Sequence, residues 1–392
     1  MKYLMRFSFL IFLFGSVLIA QELTEVYKTG KIKFITDDSF HSNADFFSNR
    51  GATIKNYLHI AITRNGRAFV LDRNTHEILV FGPNGDYEDA WKFDIPISTS
   101  VYHRVNDIGI VDDAYLVVAG YDQLLVYSFE KKLIRRIKMD YPVFDMVGLK
   151  NNKVAVRGYI LDRRGNTPKR RIYIGIIDIE NGADREVTYF EQDINKEKIT
   201  VRTNNDIISF SSPARTPEVH LASTLDHNLI VGYSGNQNLL IFSPNAQKVG
   251  EIEMEYPPIE LSDSELQRLE EQYIETAKRM IENETTKDSV VIEIQSGNFF
   301  YEQLPYFYGI KSDSDGNILV FRNKEQQDIH SFRVYQVYSA NGDFICETTV
   351  TFDPFKRPDL RQFEFGTDYL YGIFENSDTG ELGFYRGNIS EK

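Results

Sequence analysis

His59, Asp107, Asp145 and His220 each stand nine residues ahead of one marker position in a recurring apolar run, at Ala68, Leu116, Val154 and Leu229. Two imidazoles and two carboxylates at equivalent places of a repeated unit are donor types that suit zinc or manganese, or calcium where oxygens dominate. Around a metal they would polarise a carbonyl or activate water. Without one they offer hydrogen bonds to water or to a small polar ligand. The same count from the later runs, at Ile318 and Leu370, reaches Gly309 and Arg361, with Gln362 in place of Arg361 if the last register slips by one. A second group, Arg163 and Arg164 with Lys169, Arg170 and Arg171, is a basic cluster on an acidic chain. Such a cluster suits an anionic glycan, a phosphate or a membrane surface, or else simply solvates an extended hairpin.

The polar residues can meet only if the elements carrying them close on one another, and the chain does repeat. Its unit is an apolar strand, a tight polar turn, a second strand of β-formers, a polar loop and a third strand ending in an aromatic residue. The first copy runs from His59 to Phe93, with turns at Arg64-Asn65-Gly66 and Pro83-Asn84-Gly85-Asp86. Asn-Gly at such places is hairpin chemistry. Six copies of the second strand are spaced 48, 38, 75, 89 and 52 residues apart. A propeller blade takes roughly 40 to 50 residues, so the two long gaps hold insertions, over 190–217 and 256–305. The expected fold is all-β, a six-bladed β-propeller of four-stranded antiparallel blades in one domain over 21–392, with one helical insertion. The helix is expected over 262–283, from the capping box of Ser262 and Glu265 and the apolar spacing of Leu266, Leu269, Tyr273 and Ala277. The last copy lacks a fourth strand, so Lys31 to Thr36 is expected to close the ring beside the C-terminal strand around Phe384.

Gly66 to Asn74, followed by Ile78-Leu79-Val80-Phe81-Gly82-Pro83-Asn84-Gly85, resembles an NHL repeat. The whole chain looks like a secreted six-bladed propeller of the NHL or TolB-like kind. Thr75-His76-Glu77 departs from the Asn-His-Leu that names the repeat. The resemblance implies a fold, not a chemistry, because such propellers host binding modules and enzymes alike.

Lys2 and Arg6 precede a 14-residue apolar run, Phe7 to Ala20, which reads as a signal peptide over 1–20 and places the protein in the periplasm or outside the cell. No later window is apolar enough for a membrane span. Removing Lys2 and Arg6 takes the net charge from −13 to −15, which excludes a generic nucleic-acid binder. Cys346 is the lone cysteine, so neither an intramolecular disulfide nor a cysteine-based metal site is available, and it reads as a small apolar filler in a strand.

Within each unit the first turns are tight, whereas the second-to-third strand loops and the connections between units hold every long segment. The long-loop face is therefore expected to be the working face. The leading functional expectation is a non-enzymatic module that recognises a protein, peptide or glycan, without a cofactor. The alternative is a metal-assisted hydrolase, lactonase or lyase using the His/Asp ring. No catalytic residue is assigned.

Overall fold

In a computed structural model of the chain, the described residues are 22–40, 47, 58–73, 75–92, 105–162, 169–193, 198–202, 207–211, 217–254, 256, 259–260, 262–264, 267–268, 271, 275, 291–293, 303–322, 331–356, 358 and 360–391. The signal-peptide reading falls outside them. A short helix α1 (Glu22–Lys28) leads into β1 (Lys31–Thr36). Four antiparallel sheets of four consecutive strands follow. They are β2 (Leu58–Ile62), β3 (Ala68–Asp72), β4 (Glu77–Phe81) and β5 (Tyr87–Lys92); then β6 (Asp107–Val111), β7 (Tyr115–Ala119), β8 (Gln123–Ser128) and β9 (Leu133–Lys138). The third is β10 (Val143–Gly148), β11 (Lys153–Asp162), β12 (Lys169–Asp178) and β13 (Asp184–Asp193). A hairpin, β14 (Lys198–Arg202) and β15 (Ile207–Ser211), precedes the fourth, β16 (Val219–Ser223), β17 (Leu229–Tyr233), β18 (Asn238–Phe242) and β19 (Lys248–Glu253).

The second insertion contributes β20 (Ile259–Glu260), β21 (Val291–Glu293) and β22 (Gln303–Leu304). β21 pairs with β14, so the two insertions share a small sheet separate from the blades, and β20 pairs with β22. Between them Asp263, Ser264, Gln267, Arg268, Glu271 and Glu275 are helical and exposed. The apolar positions of that helix lie outside the described residues. The remaining strands are β23 (Gly309–Ser312), β24 (Ile318–Phe321), β25 (Ser331–Tyr338), β26 (Phe344–Thr351), β27 (Phe363–Phe365), β28 (Leu370–Glu375) and β29 (Leu382–Glu391). With β1 they form one eight-stranded sheet, in the order β23-β24-β25-β26-β1-β29-β28-β27.

The burial follows from a propeller ring. β3 and β24 are buried at every residue because adjacent blades cover both of their faces, which is why these strands read as continuous apolar runs. The outer strands β5, β9 and β19 bury one residue each, Trp91, Ile137 and Ile252, and turn the rest to solvent. The first strands pack around the centre, β2 on β6, β6 on β10, β10 on β16, β16 on β23, and β27 on β2. Asp112 and Asp113 (φ 52° each) and Asn151 and Asn152 (φ 62° and 57°) adopt the paired left-handed conformation that tight hairpins require. Asp112 accepts the backbone N–H of Asn151 at 3.1 Å and that of Asn152 at 2.5 Å, and Asp113 accepts that of Arg64 at 2.8 Å. The turns of three successive blades are thereby tied together.

β1 joins the C-terminal strand as expected, with a different register. Ile32 to Thr36 pair with Glu391 back to Gly387, whereas Phe384 faces Ile373. β29 is ten residues long, with β28 paired along Leu382 to Gly387 on one edge and β1 along Gly387 to Glu391 on the other. β1 also pairs in parallel with β26 through Lys31, Ile32 and Lys33. Cys346 is half-buried on β26, where burial pushes its thiol up to about 11.

The inner strands approach so closely that glycine is needed at Gly148, where a Cβ would lie 1.7 Å from the Ile110 carbonyl oxygen. Gly148→Ala is expected to destabilise the ring by about 3 kcal/mol, the upper range for overpacking, read as a lower urea midpoint with an unchanged slope.

Candidate functional site

The first strands carry their polar residues to one level of the central channel, because equivalent positions in a ring lie at equal height. His59 on β2 is 3% exposed, and its Nδ1 lies 2.6 Å from Oδ1 of Asp107 at the start of β6. Oδ2 of Asp107 accepts the Met146 backbone N–H of β10 at 2.8 Å. Asp145 hydrogen-bonds Asp107 and faces the buried Arg157 guanidinium at 3.5 Å. Arg157 in turn donates to the Val219 carbonyl of β16 at 2.7 Å. Arg361, on the short helix ahead of β27, places Nη1 3.5 Å from His59 Nε2. Nδ1 of His59 thus faces the Asp107 carboxylate and Nε2 faces the Arg361 guanidinium, so the ring bridges the two.

These residues form a hydrogen-bonded belt across the inner strands. Asparagine reinforces it: Asn106 donates to the Val143 carbonyl at 2.6 Å. His220 sits beside it with its ring 5.6 Å from that of Phe307. Burial, then Arg157 and Arg361, push its imidazole down to about 3, so it is neutral at working pH. At the equivalent Gly309, a Cβ would lie 1.9 Å from Leu360 Cδ1, so packing leaves no side chain there. Arg361, not Gln362, is the residue beside His59.

The two carboxyls are driven apart. Burial favours the neutral form of both. For Asp107 the charge and hydrogen bond of His59, with the contacts from Asp145 and Arg361, overcome burial and hold it at about 2. For Asp145 burial and the neighbouring Asp107 outweigh Arg157 and Arg361 and hold it at about 6. Below about pH 6 the pair holds one proton, which resides on Asp145 and is donated to Asp107.

Toward the tight turns the belt floors a cavity of about 530 Å³, lined also by Lys311, Asp313 and Glu364. Lys311 and Glu364 pair at 2.5 Å. A second space of about 500 Å³ adjoins it among Arg64, Asp112, Lys150 and His227. The described cavity thus opens at the tight-turn end of the channel, opposite the long-loop face expected to do the work. Much of the long-loop face, with Arg163 and Arg164, lies outside the described residues.

The other basic residues are engaged within their own blade. Lys169 pairs with Glu191 at 2.7 Å, Arg170 lies over the Tyr159 ring at 5.0 Å, and Arg171 lies over Tyr189 at 3.8 Å and pairs with Glu186 at 2.8 Å. Arg157 was missed by counting along first strands, because it reaches the belt from a second strand. Its signal was an arginine between the apolar run Val154-Ala155-Val156 and the strand's continuation at Gly158-Tyr159-Ile160.

Among the described residues no three His, Cys, Asp or Glu side chains are arranged to hold a metal ion. Guanidinium groups already neutralise the carboxylates a cation would need.

No protein-family model matches the chain. No curated protein matches it either. Among solved structures it is similar to a DUF4221 family member from Bacteroides vulgatus, with 12% identity, 93% of this chain and 99% of that chain covered, and a TM-score of 0.49. It is similar also to the calcium-binding protein regucalcin from Agrobacterium tumefaciens, with 11% identity, 92% and 97% coverage and a TM-score of 0.43. A virginiamycin B lyase from Staphylococcus aureus follows, with 9% identity, 86% and 97% coverage and a TM-score of 0.39. None of the three bears on the chemistry of the channel.

Proposed function

We propose that the protein is an exported binding propeller that takes a neutral, hydroxyl-rich ligand, the end of a glycan, into its central channel. The observation that carries this reading is the cavity floored by the His59–Asp107–Asp145–Arg361 belt. Donors and acceptors of both signs line it, which favours a neutral molecule with many hydrogen-bonding groups over an ion of either charge. Export is supported by the apolar run behind Lys2 and Arg6. A count of six blades is supported by the eight-stranded sheet, which divides at β1 into β23–β26 and a second set of four, β27, β28, β29 and β1. The NHL kind of repeat is supported by the first blade, where Asp72 caps the following loop by accepting the Thr75 N–H at 3.3 Å.

A glycan panel assayed by calorimetry on the mature protein is expected to yield a binder that Arg361→Ala weakens at least about tenfold. No binder in the panel, or binding indifferent to Arg361→Ala, would overturn the channel assignment.

The split carboxyl pair favours a second reading, metal-free acid–base catalysis on that ligand with Asp145 as the acid. Turnover of the bound glycan with an alkaline limb near 6, abolished in Asp145→Asn, would establish it, and a bound but unchanged ligand would exclude it.

A further inference from the structure

Away from the channel, β9 differs from the outer strands β5, β13, β19 and β26. Residues 131–138 hold Lys131, Lys132, Arg135, Arg136 and Lys138 and no acid, on a chain of net charge −13. The outer strands β5, β13, β19 and β26 each carry more acid than base. All of residues 131–138 except Ile137 are exposed, including Leu133 at 42% and Ile134 at 50%. β9 ends its sheet, so among the described residues its outer row of N–H and C=O groups pairs with no strand. Beside it runs a groove of about 370 Å³ between the first two blades, with Trp91, Leu125 and Tyr127 as its apolar wall and Arg136 at its rim beside Lys92, paired with Glu77 at 3.4 Å, and Lys131, paired with Asp89 at 3.1 Å.

We infer that β9 is a docking edge for an acidic, extended segment of another protein, which adds as a fifth strand and sets an apolar side chain into the groove. Three features combine to select this occupant. Cations alone would serve to keep an edge from pairing. Here exposed Leu133 and Ile134 and an aromatic-walled groove accompany them, and those are recognition features of strand addition. The charge demands an acidic partner. A second β9 is excluded by the same charge, since two such edges would bring cation against cation. A membrane surface uses the charge but neither the free backbone row nor a groove of side-chain size.

The probe is a fluorescent peptide of alternating glutamate and valine, added to the whole mature protein and followed by anisotropy. Binding is expected, weakened at least about tenfold by the double variant R135E/R136E and by raising salt to screen the charges. A proline at the peptide's centre, which removes one backbone donor, is expected to weaken it as well. Both substituted side chains are exposed, so an unchanged thermal midpoint checks that the variant is folded.

Absence of peptide binding overturns the inference. So does equal binding of the proline peptide, which would reduce the strand to a charge patch. Capture by phosphatidylglycerol vesicles while the peptide fails would assign the edge to a membrane surface. Self-association abolished by R135E/R136E would assign it to an acidic edge of a second copy.

Discussion

Arg157→Met is expected to destabilise the protein by about 3 to 5 kcal/mol at pH 8, and by much less at pH 5. Arg157 is 4% exposed and is the cation facing Asp145 at 3.5 Å. Methionine fills the volume but leaves the Asp145 carboxylate beside Asp107 without the larger of its two counter-charges, Arg361 alone remaining. The sign of the pH dependence follows from Asp145, whose folded value of about 6 lies above its ordinary 3.8. A carboxyl raised by folding binds its proton more tightly in the folded state. Its contribution is therefore favourable in acid and declines as pH rises through that window. Arg157 limits the rise, so its loss widens the window and deepens the cost above it. At pH 5 Asp145 is protonated in the folded variant, and what remains is the loss of the charged hydrogen bond to the Val219 carbonyl, worth about 1.5 kcal/mol.

Asp107 behaves oppositely. Held at about 2, it contributes stability that is complete above its ordinary 3.8 and is lost as pH falls through the folded value. Urea unfolding of the wild type and Arg157→Met at both pH values measures the difference. An equal loss at pH 5 and pH 8 would show that Arg157 acts by packing and not by charge.

Phe34→Ala is expected to cost about 3 to 5 kcal/mol, and deletion of residues 22–36 to prevent folding. Phe34 is 2% exposed on β1, with ring centroids 4.9 Å from Phe374 and 5.5 Å from Phe352. Its strand comes from the start of the chain, whereas the aromatic cluster it fills comes from the end. The deletion also removes buried Tyr27 and Ile32 and uncovers the edges of β26 and β29 together. Two bare edges invite pairing between molecules. The deletion is therefore expected to give aggregated protein, and Phe34→Ala a folded one with a lower urea midpoint. A soluble deletion variant with the wild-type midpoint would show that the ring closes without β1.

The strands and tight turns were legible along the chain because they answer to local rules. Ile78 to Phe81 followed by Pro83-Asn84-Gly85 can scarcely be anything but a strand and a hairpin turn, and the repeat of that pattern made a ring of blades the economical fold. The polar level of the channel was legible for the same reason. Equivalent offsets from equivalent strands reach equal heights, which brought His59, Asp107, Asp145 and His220 into one set, with Arg361 from the last copy, before any contact was visible.

Contacts between elements distant in sequence were decided only in three dimensions. The pairing of β1 with Gly387 to Glu391 instead of Phe384 is a register between the two ends of the chain, which no local pattern records. Arg157 joins the belt from a second strand, a geometry that no spacing along first strands records. The opposite ionisation of two aspartates, Asp107 at about 2 and Asp145 at about 6, has no sequence signal at all. It arises because one accepts from His59 and a backbone amide, while the other is buried against a like charge. Sequence sets the height of each side chain in the channel, and the neighbours that folding brings to that height set its charge.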